Sequence, residues 1–133
     1  MEVERPTYRF TLDERPWTVN AERAGNRWER AKNTKHWREQ FFLLCKGTVF
    51  ETLTDATVEV ELILKGRLQD TSACLPAVKA AVDGLVDGGL FLDDTGDHVK
   101  CIMFWAPVRA KTNALTIVVT GTPISKAGYT QPK

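Results

Sequence analysis

The sequence predicts an α+β fold in which two main helices pack on a small mixed β-sheet. The segment ATVEVELILKG (56–66) alternates strictly between apolar and polar residues, which is typical of a strand with one buried face. Two other segments, 34–46 and 75–87, repeat their apolar residues at helical spacing. The order strand, helix, strand, helix, strand, strand therefore indicates helices layered on a single sheet.

The first half of the chain contains a strand, a long connection and a helix. Residues 7–13 (TYRFTLD) alternate well enough for the first strand. Residues 14–35 have no clean period and carry Pro16 and Gly25, so they predict a long basic loop. A helix over residues 34–46 follows, with Thr34 as its N-terminal cap and Gly47 at its end.

The second half continues with the remaining strands and one helix. After the strand at 56–66, the turn-like residues RLQDTSA lead into a helix that closes at a pair of glycines. The predicted elements are the helix over 75–87 with Gly88 and Gly89 after it, strands within 98–108 and 114–121, and a loose polar tail over 122–133.

Length and composition are those of an ordinary globular protein. With 133 residues, 43% apolar and 26% charged, the chain predicts one domain over residues 1–133. No run of about 18 apolar residues and no signal-peptide pattern is present, which predicts a cytoplasmic protein without a membrane span. Cys45, Cys74 and Cys101 have no zinc-like spacing and are expected to be reduced thiols; Cys45 and Cys101, which fall in apolar runs, are expected in the core.

Charge is unevenly distributed although the net charge is only +1. Residues 15–46 contain eight Lys or Arg against three Glu, whereas residues 82–97 contain five Asp and no basic residue. A basic segment and an acidic segment in one small domain indicate a polyanionic partner and a separate cation site. The alternative is that both segments are simply solvated faces.

The second helix and the residues after it carry the ionisable groups of that acidic segment. Lys79 and Asp83 fall one turn apart at the edge of the apolar stripe, and Asp93 and Asp94 follow the run Gly-Leu-Phe-Leu. Neighbouring side chains of an extended segment point to opposite faces, so only one of the two aspartates can share a site with the helix. Several carboxylates brought together hold Mg²⁺ or Mn²⁺, which cleave phosphodiesters, and a nearby lysine stabilises phosphate charge. Alternatively, Lys79 and Asp83 are a local helix pair and the two aspartates an ordinary turn.

Two segments resemble the RusA-like Holliday junction resolvases. FTLDERPWTVN (10–20) is similar to that family's opening strand and loop, and KAAVDGLVDGGLFLDDTGDHV (79–99) is similar to its lysine-bearing helix, glycine turn and Asp-Asp pair. The resemblance spans roughly residues 7 to 120. It implies a small α+β homodimer that binds four-way DNA junctions and cuts them with Mg²⁺, or with Mn²⁺, in recombination and repair.

The resemblance also implies roles for individual residues. Asp94 matches the metal-binding carboxylate of the Asp-Asp pair, with Asp93 beside it, and Lys79 matches the lysine associated with catalysis. Asn20 matches the asparagine of the N-terminal loop, and Asp83 matches the helix aspartate one turn after the lysine.

This sequence departs from the family at the Asp-x-Asp-Asn motif that normally precedes the lysine. Counted without gaps, Ala73 and Leu75 occupy the two aspartate positions. With three extra residues allowed, Asp70 takes the first position, near Arg67, and Ser72 takes the second; this alignment is favoured. It implies that Asp70 joins Asp93 and Asp94 at the metal and acts with Lys79 and Asp94. Variants of this kind are similar to relatives associated with actinobacterial phages.

One carboxylate is then lost, and three residues are candidates to assist the metal site. They are Glu59 and Glu61, on the polar face of the preceding strand, and Asp83 on the helix.

The basic segment is predicted to bind DNA. Its Lys and Arg side chains can contact phosphates, and the interleaved Trp17 and Trp28 can stack on unpaired bases. Alternatively, both tryptophans fasten the segment to the core. The candidate DNA-binding residues are Arg15, Asn20, Arg23, Arg27, Arg30, Lys32, Lys35 and Arg67.

Two hypotheses about function follow. The first is a structure-selective, divalent-metal-dependent endodeoxyribonuclease that resolves branched DNA. The second is a protein of the same fold that binds branched DNA or a host protein without cutting. The altered aspartate motif favours the second hypothesis, whereas retention of Lys79, Asp83 and the Asp-Asp pair favours the first.

Overall fold

The computed structural model describes residues 4–127, and one mixed sheet organises them. The order across the sheet is β1-β5-β2-β3, and the short β4 also pairs with β2. Strand β5 is antiparallel to β1 and β2, whereas β3 and β4 are parallel to β2. The strands are β1 (Thr7–Leu12), β2 (Leu53–Leu64), β3 (Val99–Phe104), β4 (Val108–Arg109) and β5 (Ala114–Pro123).

Two main helices, α2 (Arg27–Lys46) and α3 (Leu75–Asp87), pack against each other and supply the other half of the core. A third and much shorter helix, α1 (Val19–Ala24), precedes them. The predicted fold class, a small mixed sheet with two main helices on it, is confirmed.

The long basic loop predicted over residues 14–35 is wrong, because α1 and the first half of α2 occupy most of it. Helix α2 begins at Arg27, where the Asn26 side chain accepts a hydrogen bond from the Glu29 N–H at 2.9 Å. Thr34 therefore lies inside the helix, whereas the predicted end at Gly47 is confirmed. The first turns of α2 bury no apolar stripe, so good helix formers and the cap specify them instead.

Strand β2 has the predicted alternation. Val58, Val60, Leu62 and Leu64 are buried beneath the helices, while Glu59, Glu61 and Ile63 alternate with them and point to the opposite face. The sheet is thus covered on one side within the described residues. The other face carries polar pairs such as Thr7 with Thr120 and Thr11 with Thr116.

Helices α2 and α3 approach most closely at Gly84. A Cβ atom there would lie 2.3 Å from the carbonyl oxygen of Arg38 and 3.0 Å from the amide nitrogen of Phe42. Only glycine permits this spacing. After α3, Gly89 turns the chain with φ of 93°, in the left-handed region that glycine tolerates.

One prediction about the cysteines needs correction. Cys45 is buried as expected, but Cys101 is exposed on β3, and Cys74 also belongs to the core. Burial raises the pKa of the Cys74 thiol to about 11.

The tail predicted over 122–133 is shorter than expected. Its first two residues complete β5, residues 124–126 form a 3₁₀ turn, and residues 128–133 lie outside the described residues. None of the helices in residues 4–127 is long and apolar enough to cross a membrane.

Candidate functional site

A cleft of about 220 Å³ lies between α3 and the edge strand β3, and it contains both Lys79 and Asp94. The lysine-bearing helix and the Asp-Asp turn that follows it, which carry the predicted site, therefore meet in the folded chain. Four apolar side chains surround the two charged groups. The lining residues are Leu75, Lys79, Val82, Asp94, Val99 and Ile102.

The spacing of the sequence explains this convergence. Leu75, Lys79 and Val82 are separated by four and three residues, so they project from one side of α3. On the sheet side, Ile102 is the register partner of the buried Val58, and it therefore faces the helices. Asp94 lines the cleft from the connection between α3 and β3.

Asp83 lies one turn after Lys79 and belongs to the same electrostatic environment. Its pKa is raised, chiefly because burial disfavours the carboxylate; Arg38 opposes this effect, and the negative charge of Asp94 adds to it. Lys79 also acts on Asp83 and lowers its pKa. The charges of Lys79 and Asp94 thus both act on the pKa of Asp83.

Asp93 is engaged within its own turn. One carboxylate oxygen accepts hydrogen bonds from the Thr95 N–H, at 2.9 Å, and from the Thr95 hydroxyl. These two bonds lower the pKa of Asp93, with a smaller contribution from His98. Of the Asp-Asp pair, Asp94 lines the cleft and Asp93, which was expected to be a further metal ligand, does not.

Asp70 and Arg67 lie in the exposed connection between β2 and α3, and this connection is fastened to the N-terminal segment. The Val19 N–H donates to the carbonyl oxygen of Ala73 at 2.8 Å, and the Gln69 side-chain amide donates to the carbonyl oxygen of Pro16 at 2.9 Å. These bonds hold the first segment that resembles the resolvase family, residues 10–20, against the connection that leads into α3. Asp70 is not among the residues that line the cleft.

Glu59 and Glu61 are on the wrong face of the sheet to assist the cleft. They alternate with Val58 and Val60, which face the helices, so the sheet itself separates them from Asp94. Glu61 pairs with Arg9 across the open face, and Glu59 accepts a hydrogen bond from the Trp105 indole at 3.2 Å. The candidate auxiliary role of the two glutamates is therefore corrected.

The predicted DNA-binding residues divide into engaged and exposed groups. Arg15 donates to the carbonyl oxygens of Lys65 and Arg67, at 3.2 and 2.6 Å, so its guanidinium stabilises the fold. Arg30 donates to the carbonyl oxygen of Glu22 at 3.3 Å. The exposed group, on or beside α1 and the first turns of α2, comprises Asn20, Arg23, Arg27, Lys32 and Lys35.

The two tryptophans of this segment have different environments. Trp17 fastens the segment to the core: its ring meets Trp37 edge-to-face at 6.0 Å, and its indole N–H donates to Glu22 at 2.6 Å. Trp28 is 75% exposed, with the Arg27 guanidinium 5.5 Å from its ring centre. Of the two tryptophans in the basic segment, Trp28 is the one that remains available for stacking on a base.

The donor chemistry around Asp94 suits a hard cation, although the three-acid set expected from the sequence is not assembled. Within residues 4–127, no group of three or more His, Cys, Asp or Glu side chains is arranged to hold a metal ion. Mg²⁺ commonly uses one or two protein carboxylates and retains several waters. Asp94, supported by the neighbouring Asp83, is compatible with that mode of binding.

Comparisons with known proteins leave the family open. A scan against protein-family models found no match, and a search of curated proteins found no match either.

One feature of the site could not be anticipated from the sequence. His98 is buried, 2% exposed, and its Nδ1 lies 3.0 Å from the hydroxyl of Thr54. Forty-four residues separate the two side chains. Thr54 also lies where β2 departs from its regular register, so neither alternation nor spacing signals the contact.

Proposed function

We propose that this chain is a divalent-metal-dependent endodeoxyribonuclease that acts on branched DNA, as its resemblance to the RusA-like resolvases implies. The observation that supports this most strongly is the meeting of Lys79 and Asp94 in one cleft. A cation and a carboxylate at the same opening serve the two requirements of phosphodiester hydrolysis, a site for the phosphate and a site for the metal.

Each residue of the cleft has a distinct task in this proposal. The Lys79 ammonium binds the scissile phosphate and offsets the charge that develops on it. Asp94 holds a Mg²⁺ or Mn²⁺ ion together with water, and Asp83 adds negative charge next to it. When bound, such an ion supplies an activated water and stabilises the leaving oxygen.

The proposed substrate is a four-way junction or a related branched DNA. The exposed basic residues of α1 and α2 contact backbone phosphates, and Trp28 stacks on a base exposed at the branch point. A homodimer provides two clefts for the two opposed strands of a junction. We infer that the protein acts in the cytoplasm, which is the host cytoplasm if a phage encodes it.

The alternative proposal is a protein that binds branched DNA, or a host protein, without cutting it. One observation favours this alternative: the described residues do not assemble three metal-binding side chains. Asp70 in particular lies outside the cleft lining. Binding through the basic surface would then persist although the hydrolytic chemistry has been lost.

Cleavage of an end-labelled four-way junction separates the two proposals. The wild type, Asp94→Asn and Asp13→Asn are compared with Mg²⁺, with Mn²⁺ and with EDTA, against a linear duplex of the same sequence. Asp13 is the matched control because it follows β1, at the edge of the sheet farthest from β3. We expect metal-dependent nicks with the wild type and Asp13→Asn, and a loss of about 100-fold or more with Asp94→Asn, as for other single charge-stabilising groups.

Junction binding by the same proteins decides the remaining outcomes. Tight junction binding by the wild type without cutting in either metal would favour the binding protein. Cutting that survives Asp94→Asn would exclude the cleft as the nuclease site.

A further inference from the structure

The turn that carries Asp94 is held by a set of contacts outside the cleft. Within residues 93–99, the His98 and Val99 N–H groups both donate to the carbonyl oxygen of Thr95, at 3.0 and 2.9 Å. Thr95 in turn donates twice to Asp93. These local bonds give the turn its shape, but they do not fix its orientation relative to the sheet.

Contacts between the turn and β2 fix that orientation. The Thr54 hydroxyl donates to the carbonyl oxygen of Asp97 at 3.0 Å and lies 3.0 Å from His98 Nδ1. Because the single hydroxyl proton is used on Asp97, the hydroxyl accepts a hydrogen bond from His98 Nδ1–H. The other ring nitrogen, Nε2, lies 4.0 Å from a carboxylate oxygen of Asp93, which is beyond hydrogen-bond distance. Thr54 therefore fastens the end of the turn to β2 through Asp97 and His98.

A bulge in β2 makes this connection possible. The register of β2 against β5 shifts between Thr54 and Thr57, and Asp55 adopts φ of 51°, which is strained for a residue with a side chain. The Asp55 N–H reaches the carbonyl oxygen of Asp97 at 3.3 Å, and the Ala56 N–H reaches that of His98 at 2.8 Å. Backbone strain of this kind persists only where surrounding contacts hold it. Here those contacts are the hydrogen bonds between residues 55–56 of β2 and residues 97–98 of the turn.

We propose that His98 is a positioning residue that, together with Thr54, anchors the turn of residues 93–98 to β2 and so keeps Asp94 in the cleft with Lys79. The buried imidazole joins the turn to Thr54 of β2 and thereby sets the direction in which Asp94 points. The inference rests on the proposed nuclease function for its kinetic consequence, whereas its structural consequence, a turn held in one orientation, is independent of activity.

The test uses substitutions that remove the contacts in different ways. His98→Ala removes both ring nitrogens, and His98→Asn retains a donor near the Nδ1 position. Thr54→Val removes the hydroxyl with little change of shape and serves if His98→Ala does not fold. Leu115→Ala is the control for general loss of stability, because Leu115 is fully buried in β5, away from the turn.

Two measurements are made on each protein, the kcat and KM of junction cleavage and the hydrogen exchange of the backbone amides of residues 95–99. For His98→Ala and Thr54→Val we expect kcat to fall about 10- to 100-fold, as typical for residues that orient a metal ligand, with KM changed less than about twofold. The amides of the turn exchange faster, and His98→Asn restores part of kcat. Leu115→Ala leaves kcat at the wild-type value under conditions where it is folded.

The results distinguish a failure of this inference from a failure of the proposed function. Equal loss of kcat in Leu115→Ala, or unchanged exchange of the turn amides in both His98→Ala and Thr54→Val, would overturn the positioning role. If the wild type does not cut DNA, the nuclease proposal fails, and selective acceleration of exchange in the turn still decides whether His98 orients it.

Discussion

Asp83 and Asp87 lie one turn apart on α3, yet their carboxyl groups have opposite electrostatic environments. Burial is the main cause of the raised pKa of Asp83, and the nearby Asp94 adds to it. The pKa of Asp87 is lowered because the Arg38 guanidinium donates two hydrogen bonds to it, at 2.6 and 2.9 Å. The negative charge on Asp83 therefore destabilises the folded protein, whereas the negative charge on Asp87 stabilises it.

We expect Asp83→Asn to stabilise the protein at pH 7 and Asp87→Asn to destabilise it. Because the pKa of Asp83 is raised in the folded state, its ionisation disfavours folding once the pH rises above 3.8, the ordinary pKa of an aspartate. The gain in the free energy of unfolding of Asp83→Asn over the wild type should therefore appear between pH 3.8 and neutrality and vanish in acid. The loss in the free energy of unfolding of Asp87→Asn should likewise vanish as the pH falls through the lowered pKa of Asp87. The free energy of unfolding measured with urea from pH 3 to pH 7 checks both signs.

The same pair of variants bears on function. If Asp83 supports the cation at Asp94, Asp83→Asn is more stable but less active in metal-dependent cleavage, a trade-off common at functional sites. Asp87→Asn should retain its activity where it is folded. Full activity of Asp83→Asn would confine Asp83 to a structural role.

At the scale of the elements, the contact between α2 and α3 determines where Lys79 stands relative to the sheet. We expect Gly84→Ala to destabilise the protein by about 1–3 kcal/mol, because the new methyl group would overlap the backbone of Arg38. Thermal unfolding should show a midpoint lower by roughly 4 °C for each kcal/mol. Gly96→Ala is the matched control, since nothing lies within 4 Å of a Cβ atom at Gly96. An equal midpoint for the two variants would mean that the helices can separate without cost.

The sequence predicts elements well where burial imposes a period. Strand β2 and helix α3 were predicted because half or more of their side chains enter the core. The first half of α2 was missed, since it presents mainly polar side chains to solvent and depends on the Asn26 cap. The beginning of α2 therefore reflects local hydrogen bonding, which an apolar period does not report.

The candidate site follows the same division. Lys79 and the Asp-Asp pair could be selected from the sequence because the edge of a helix and the end of an apolar run are local features, whereas the choice of Asp94 over Asp93 came from the family resemblance. The position of Glu59 and Glu61 depends on which sheet face the helices cover, and the contact between Thr54 and His98 depends on the β2 bulge. Both are consequences of pairing between distant segments, and the folded chain is needed to see them.

For the whole molecule, a net charge of +1 gives little general attraction to DNA, so affinity must come from where the charges lie. Exposed basic side chains gather on α1 and the start of α2, and the acidic segment comprises the second half of α3 and the connection after it. A duplex arm that binds this surface displaces condensed counterions in proportion to the phosphates neutralised.

We therefore expect junction binding to weaken steeply with salt, and to do so less steeply when the exposed Arg23 and Lys32 are replaced by Gln. Each lost phosphate contact should reduce the slope of log K against log salt concentration by about 0.9, so the double variant should lose roughly 1.8. Lys126→Gln is the control, because Lys126 lies in the 3₁₀ turn after β5, at the end of the sheet where β2 begins, and not on α1 or α2. Titrations of fluorescent junction between 50 and 200 mM salt, in EDTA to prevent cutting, give the slopes. If Lys126→Gln lowers the slope as much per residue as the double variant does, the DNA does not lie along α1 and α2, and the strands would need another route to the Lys79 cleft.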